Sequence, residues 1–190
     1  MELWIGAINL GLLYAFTAVG VFITFRIQNF PDITVDGSFT AGASTAAICI
    51  VSGVNPIIAL ILAFLTGAVA GMFTGLIHSK LKVNSLLAGI LVMIGFYSIN
   101  LHIMGKSNIP LLDKNDLFYM FRQLSPSINP EILYTIVLTI IVLVFWFIIS
   151  LFFKSDLGLS FRGTGTNQIM ASASGVNVEL FKIFSVAAAN

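Results

Sequence analysis

Uninterrupted apolar runs, separated by short clusters of charge, Gly, Pro and Asn, set the layout of this chain. Leu3 to Phe25 is the first charge-free run. Gly37 to Ile77 is the second, and it is too long for one helix across a bilayer. At about 1.5 Å per residue it would reach roughly 60 Å, twice the hydrocarbon core. The sequence Ser52-Gly53-Val54-Asn55-Pro56 is its natural break, since Gly, Asn and Pro stop helices and make turns. This leaves a short, weakly hydrophobic second span and a strong third span from Pro56 to Ile77. Val83 to Gly105 forms a fourth span, free of Asp, Glu, Lys and Arg and carrying His102, and Ile132 to Phe153 a fifth. A further apolar stretch starts at Phe181 and runs to Asn190. About ten residues cannot cross a bilayer. The expectation is an all-α, polytopic transmembrane helix bundle over residues 1–190, with five complete spans and the start of a sixth that is cut by C-terminal truncation.

Composition sharpens this picture. Of the 190 residues, 58% are hydrophobic and 9% charged, against about 25% charged in a soluble domain. So few charges exclude a soluble enzyme or a disordered tail. Nine Lys and Arg against eight Asp and Glu provide no basic field for a nucleic acid. Cys49, the single cysteine, makes neither an intrachain disulfide nor a zinc site alone. The basic residues are uneven along the chain. Arg26, Lys80, Lys82, Lys154, Arg162 and Lys182 fall on one side of the predicted topology, and Lys106, Lys114 and Arg122 on the other. The positive-inside bias makes the first side cytoplasmic and the N-terminus external. Met1-Glu2 lacks the basic start of a cleaved signal peptide.

Small residues mark the faces where helices meet. Ala59, Ala63, Gly67, Gly71 and Gly75 recur every fourth residue along the third span, which puts them on one face. Close packing drives helix association in lipid, so this stripe predicts a contact seam, either static or sliding. The first span carries a shorter version in Ala7, Gly11 and Ala15. The second span begins with Thr40-Ala41-Gly42-Ala43-Ser44-Thr45-Ala46-Ala47. Such a helix suits lipid poorly and belongs near the bundle centre, lining a pathway or tightly packed.

Nucleotide-loop, HExxH and GxSxG motifs are absent, and neither His78 nor His102 has an acid within a turn. No catalytic residue, metal ligand or cofactor site is expected. The five spans as drawn contain no Asp, Glu, Lys or Arg, which argues against a carrier driven by a buried carboxylate. Energy for uphill transport would have to come from another subunit. Asn84 reads as the cap of the fourth span. Asn100 and His102 are polar positions near its outer end, open to either an interfacial pair or a solute contact.

Two segments carry more specific information. Phe30-Pro31-Asp32-Ile33-Thr34-Val35-Asp36-Gly37-Ser38-Phe39 precedes the second span. Asp36 or Ser38 would cap that helix, but capping explains one acid and not both. In the last loop, residues 154–180, Thr166 is a candidate N-cap and Gly175 a candidate C′ residue around a helix of about two turns. Met170, Ala171 and Ser174 share one of its faces. So short a helix is marginal alone, so the bundle or a partner must hold it.

The run Gly158-Leu-Ser-Phe-Arg, then Gly165-Thr-Asn, Met170-Ala171 and Gly175-Val176-Asn177, resembles the cytoplasmic loop of bacterial ABC importer permeases. The branched-chain amino acid permeases and their tryptophan- and tyrosine-type relatives are the branch it resembles. Phe30-Pro-Asp-Ile-Thr-Val-Asp-Gly-Ser-Phe with Gly42-Ala43 resembles the motif before the second span in that branch. The resemblance implies that Asn167, Met170, Ala171, Ser174 and Gly175 form a coupling helix docked on an ATP-binding cassette ATPase. Ile169 and Met170 depart from the general Glu-Ala-Ala pattern of importers, much as the amino acid branch does. It further implies a second permease copy or homologue, an extracytoplasmic substrate-binding protein and a place in the bacterial inner membrane. Asp36, Ser38, Thr40, Ser44, Gly67, Gly71 and Gly75 then become the candidate pathway and packing residues. In the external loop, residues 106–131, Leu117, Phe118, Phe121 and Leu124 have helical spacing, read either as an interfacial helix or as a docking surface for the binding protein. A scaffold that only assembles complexes is the rival from another class.

Overall fold

Local capping chemistry divides the chain into helices. In the computed structural model, which describes residues 2–111 and 129–190, helix α1 (Glu2–Val21) continues into a π-helical turn, Phe22–Ile27. Then follow α2 (Thr34–Val51), α3 (Pro56–Leu81), α4 (Ser85–Met104), α5 (Pro130–Phe152), α6 (Asp156–Thr166), α7 (Gln168–Ala173) and α8 (Val178–Ala189). No strand occurs among the described residues. The side chains of Asn55, Asn84 and Asn129 accept from the backbone N–H two residues on, at 2.9, 3.0 and 3.1 Å. They satisfy donors that the first helical turn leaves free. Pro56 and Pro130 open α3 and α5, where the missing N–H costs nothing. Gly53 and Gly105, with φ of 82° and 65°, follow α2 and close α4.

Five of these segments are long and apolar enough to cross a membrane: Leu3–Ile27, Thr34–Val51, Pro56–Leu81, Ser85–Met104 and Pro130–Phe152. The break at Ser52–Pro56 falls where expected. The start of the second span does not. Asp32 Oδ1 accepts from Thr34 N at 2.8 Å, so the helix begins at Thr34. Asp36 and Ser38 lie inside it and cap nothing. Asp36 is thus a carboxylate within a span, and Arg26 falls in the π-helical end of the first. With Lys80 in the third span and Glu131 at the start of the fifth, they overturn the expectation of spans free of Asp, Glu, Lys and Arg.

Helix α2 is central, packed against α3 and α4, and α3 packs in turn against α8. The glycines of the small-residue stripe make the α3–α8 seam. Gly67, Gly71 and Gly75 are buried. A Cβ at Gly75 would lie 2.8 Å from Ile183 Cα, and one at Gly71 2.9 Å from Ala187 Cα. The first span's stripe behaves otherwise. Ala7 and Gly11 are exposed, and nothing lies within 4 Å of a Cβ built on Gly11. Spacing identifies a face able to pack closely, but a neighbour must also be present.

Candidate functional site

One end of the bundle gathers Arg26, Lys80, Lys82, Lys154, Arg162 and Lys182 with the short helices. The ring of Phe30, after α1, meets His78 of α3 edge-on at 4.9 Å. Lys82, after α3, pairs with Glu179 of α8 at 2.9 Å. That hydrogen bond, with the Lys82 charge, holds the Glu179 carboxyl below its ordinary value. Both groups are largely exposed, so the pair contributes little to stability.

Helix α7 lies at this end. Thr166 is the last residue of α6, a helix not expected from the sequence, and Asn167 takes the capping role assigned to Thr166. Asn167 Oδ1 accepts from Met170 N at 3.0 Å. At the other terminus Gly175 adopts φ 84°. Gly175 N donates to Ser172 O at 3.0 Å and Val176 N to Ala171 O at 3.1 Å. This double closure satisfies the last carbonyls and needs a left-handed residue, as Gly175 was expected to supply. The expected shared face divides. Met170 is 69% exposed and Ile169 85%, whereas Ala171 is 9% exposed and turned into the chain. Asn167 and Ser174 are exposed.

Helix α6 ties α7 to the membrane-spanning body. Phe161 is fully buried, edge-on to Phe152, Phe181 and Phe184 at 5.3, 5.9 and 5.8 Å. Gln28 Nε2, just past the π-helical turn, donates to Phe161 O at 3.2 Å, and Thr164 Oγ1 lies 3.4 Å from Gln28. Gly165 packs directly on Ile27 O, and a Cβ there would also come within 2.9 Å of Gln28 Cα. The end of the first span and the α6–α7 hairpin therefore share one joint.

A second polar group lies inside the bundle. Asn190 Nδ2 donates to Asp32 Oδ2 at 2.8 Å and to Val186 O at 2.9 Å, and its Oδ1 accepts from Ser38 Oγ at 2.8 Å. Thr34 and Thr74 share a hydroxyl hydrogen bond of 2.7 Å. Thr74 lies about 10 Å from the end of α3, and Gly67, which meets Asn190 O, about 20 Å. Asp32 is 3% exposed among these groups. It lies in the loop before α2, where sequence reading placed it; its burial was not foreseen, and the signal available was a second acid that capping at Asp36 left unexplained.

The remaining expected residues fall on two faces of α2. Ser38 and Ser44 are buried, with Ser44 Oγ 3.1 Å from Asn100 Oδ1 of α4. Asp36 and Thr40 are exposed. Leu117, Phe118, Phe121 and Leu124 of the external loop lie outside the described residues.

Five apolar spans, a central helix of small and hydroxyl residues and an outlying two-turn helix define a multi-pass helical membrane protein. Comparison with known proteins gives the family. The family described as "Branched-chain amino acid transport system / permease component" matches residues 4–189, and the chain belongs to it. A "Tyrosine transport system permease protein" of Clostridioides difficile (strain R20291) is 39% identical over 186 residues, covering 98% of this chain and 60% of the relative. An uncharacterized protein of Rickettsia prowazekii (strain Madrid E) is 30% identical over 190 residues, covering 100% of this chain and 64% of the relative. The chain thus spans less than two thirds of the length of these relatives. No solved structure matches it.

Proposed function

We propose that the chain forms part of the membrane-spanning permease subunit of an ATP-driven importer for amino acids or similar small solutes, in the bacterial inner membrane. ATP is hydrolysed by partner cassette subunits, and an extracytoplasmic protein delivers the solute. A second permease copy or homologue completes the pathway. The basic end of the bundle is cytoplasmic.

The observation that carries this reading is helix α7. Two large apolar side chains, Ile169 and Met170, stand out from a helix too short to be stable alone, at the end richest in Lys and Arg. A solvated loop has no use for them; a groove on a partner does. Behind them, the joint of Phe161, Thr164 and Gly165 with Ile27 and Gln28 supports a path from α7 to the first span. Asp36 and Thr40 support a pathway role for the outer face of α2. A charged side chain facing lipid costs about 3 kcal/mol at the centre of a span and less in the first turn, where Asp36 lies, so this face suits protein or water.

The test is Ile169→Arg with Met170→Arg in the full-length protein. Ala171→Arg is a poorer probe, because Ala171 supports α7 from within. The exposed-face variant should insert at normal levels, lose its ATPase in pull-down and lose solute uptake. Normal ATPase recovery together with normal uptake would remove the coupling role and favour a scaffold.

A further inference from the structure

A cavity of about 390 Å³ opens between the π-helical end of the first span, the end of α5 and helix α6. It has two kinds of wall. Phe22 and Ile27 on one side and Trp146 and Phe153 on the other are apolar. Lys154, just past α5, and Arg162, on α6, line the same cavity. Both are exposed, and neither makes an ion pair among the described residues. Asp156, the acid close to them in sequence, does not line the cavity. The site sits where a span ends, so its aromatic depth lies at acyl-chain level and its cations at headgroup level. Among the described residues, two cations thus lie uncompensated beside an apolar cleft.

From this arrangement we infer that the cleft is a binding site for an anionic phospholipid. One acyl chain lies along Trp146 and Phe22, and the headgroup phosphate is held by Arg162 and Lys154. A soluble phosphate would use the cations but leave the apolar walls bare. A neutral lipid would use the walls but leave the cations unmatched. Arg presents a planar fork of donors suited to phosphate oxygens, and Lys adds a point charge. Basic clefts between spans on the cytoplasmic side favour anionic headgroups in this way, each cation near the surface raising affinity roughly fivefold. The cleft touches α6, so a bound lipid would brace the joint between the first span and the hairpin carrying α7. The site itself does not depend on the transport reading, which could fail while this inference held.

Trp146 supplies the probe. The full-length protein, with every tryptophan except Trp146 replaced by Phe, is reconstituted in vesicles containing brominated phosphatidylglycerol or brominated phosphatidylcholine over the same series of mole fractions. The anionic lipid should quench Trp146 at roughly tenfold lower mole fraction or less. Arg162→Gln with Lys154→Gln should abolish that preference, while Lys80→Gln, on α3 and outside the cleft, should keep it. Equal quenching by the two lipids would overturn the inference, because the walls would then meet bulk acyl chains. Absence of quenching by either would overturn it as well, showing that protein covers the cleft. Loss of the preference on adding millimolar glycerol phosphate would assign the cations to a soluble anion instead.

Discussion

Replacing Gly71 by Ala adds one methyl group to the α3–α8 seam, and its cost follows from the geometry. The new carbon would lie 2.9 Å from Ala187 Cα and 2.9 Å from Asn190 Cβ, and closer still to Val186 O. Ordinary carbon contacts are about 3.5 to 4.0 Å, so the helices must separate by roughly 0.6 to 1.1 Å. The obstructing atoms are backbone or Cβ, and no flexible side chain can give way. Separation there also loosens contacts at Gly67 and Gly75 and stretches the hydrogen bonds of Asn190. Overpacking of this kind costs about 1 to 3 kcal/mol. Gly11→Ala is the matched control: the same methyl in a helix, with nothing within 4 Å. Both variants gain the same helix propensity, up to about 1 kcal/mol, which cancels between them. The difference between the two is therefore the seam alone. It should appear as a lower melting temperature and a smaller assembled fraction of Gly71→Ala in detergent, by size-exclusion chromatography. Leu60→Ala, at a position 59% exposed, should resemble Gly11→Ala. If Gly71→Ala and Gly11→Ala melt together, α3 and α8 do not pack through this glycine and the seam argument fails.

Asp32→Ala should destabilise the protein by about 1 to 3 kcal/mol from the buried Thr34 N losing its acceptor, with a smaller loss at the part-buried Asn190 Nδ2; denaturant unfolding in detergent checks this, and a loss under about 1 kcal/mol would refute it. For topology, single cysteines at Ser107 and Ser155 in a Cys49→Ala background should react differently with a membrane-impermeant thiol reagent on intact cells. Position 107 should label and position 155 should not; the reverse would invert the orientation. The Lys82–Glu179 pair supplies a pH dependence. Because Lys82 lowers the Glu179 pKa from 4.5, its contribution is present above about that pH and fades as pH falls through the lowered value. The melting difference between wild type and Lys82→Ala should be small at pH 7, shrink with salt and vanish at pH 3. A difference that persisted at pH 3 would show that Lys82 acts through packing.

Much of the architecture was legible in the order of residues, because the signals involved are local. A run of about 20 apolar residues, an Asn before a Pro and a Gly after a short helix act through the backbone within a few positions. The Asn84 cap, the break before Pro56 and the left-handed Gly175 needed no tertiary information. The Gly67–Gly75 stripe likewise marked a packing face, since small residues permit close approach whatever the neighbour. Which helix filled that face, and whether any did, depended on contacts between distant residues. Gly71 found α8, while the similar Ala7–Gly11 stripe found nothing among the described residues. Ala171 turned inward because α6, a helix without a strong sequence signal, lay behind it. Asp32 sat in what read as a loop, and only the arrival of Thr34, Asn190 and Ser38 around it made burial of a carboxylate affordable. Local chemistry determined where helices begin and end; the partner of each polar or small residue was decided only when the helices met, because a side chain's surroundings are set by segments its own neighbours in sequence do not encode.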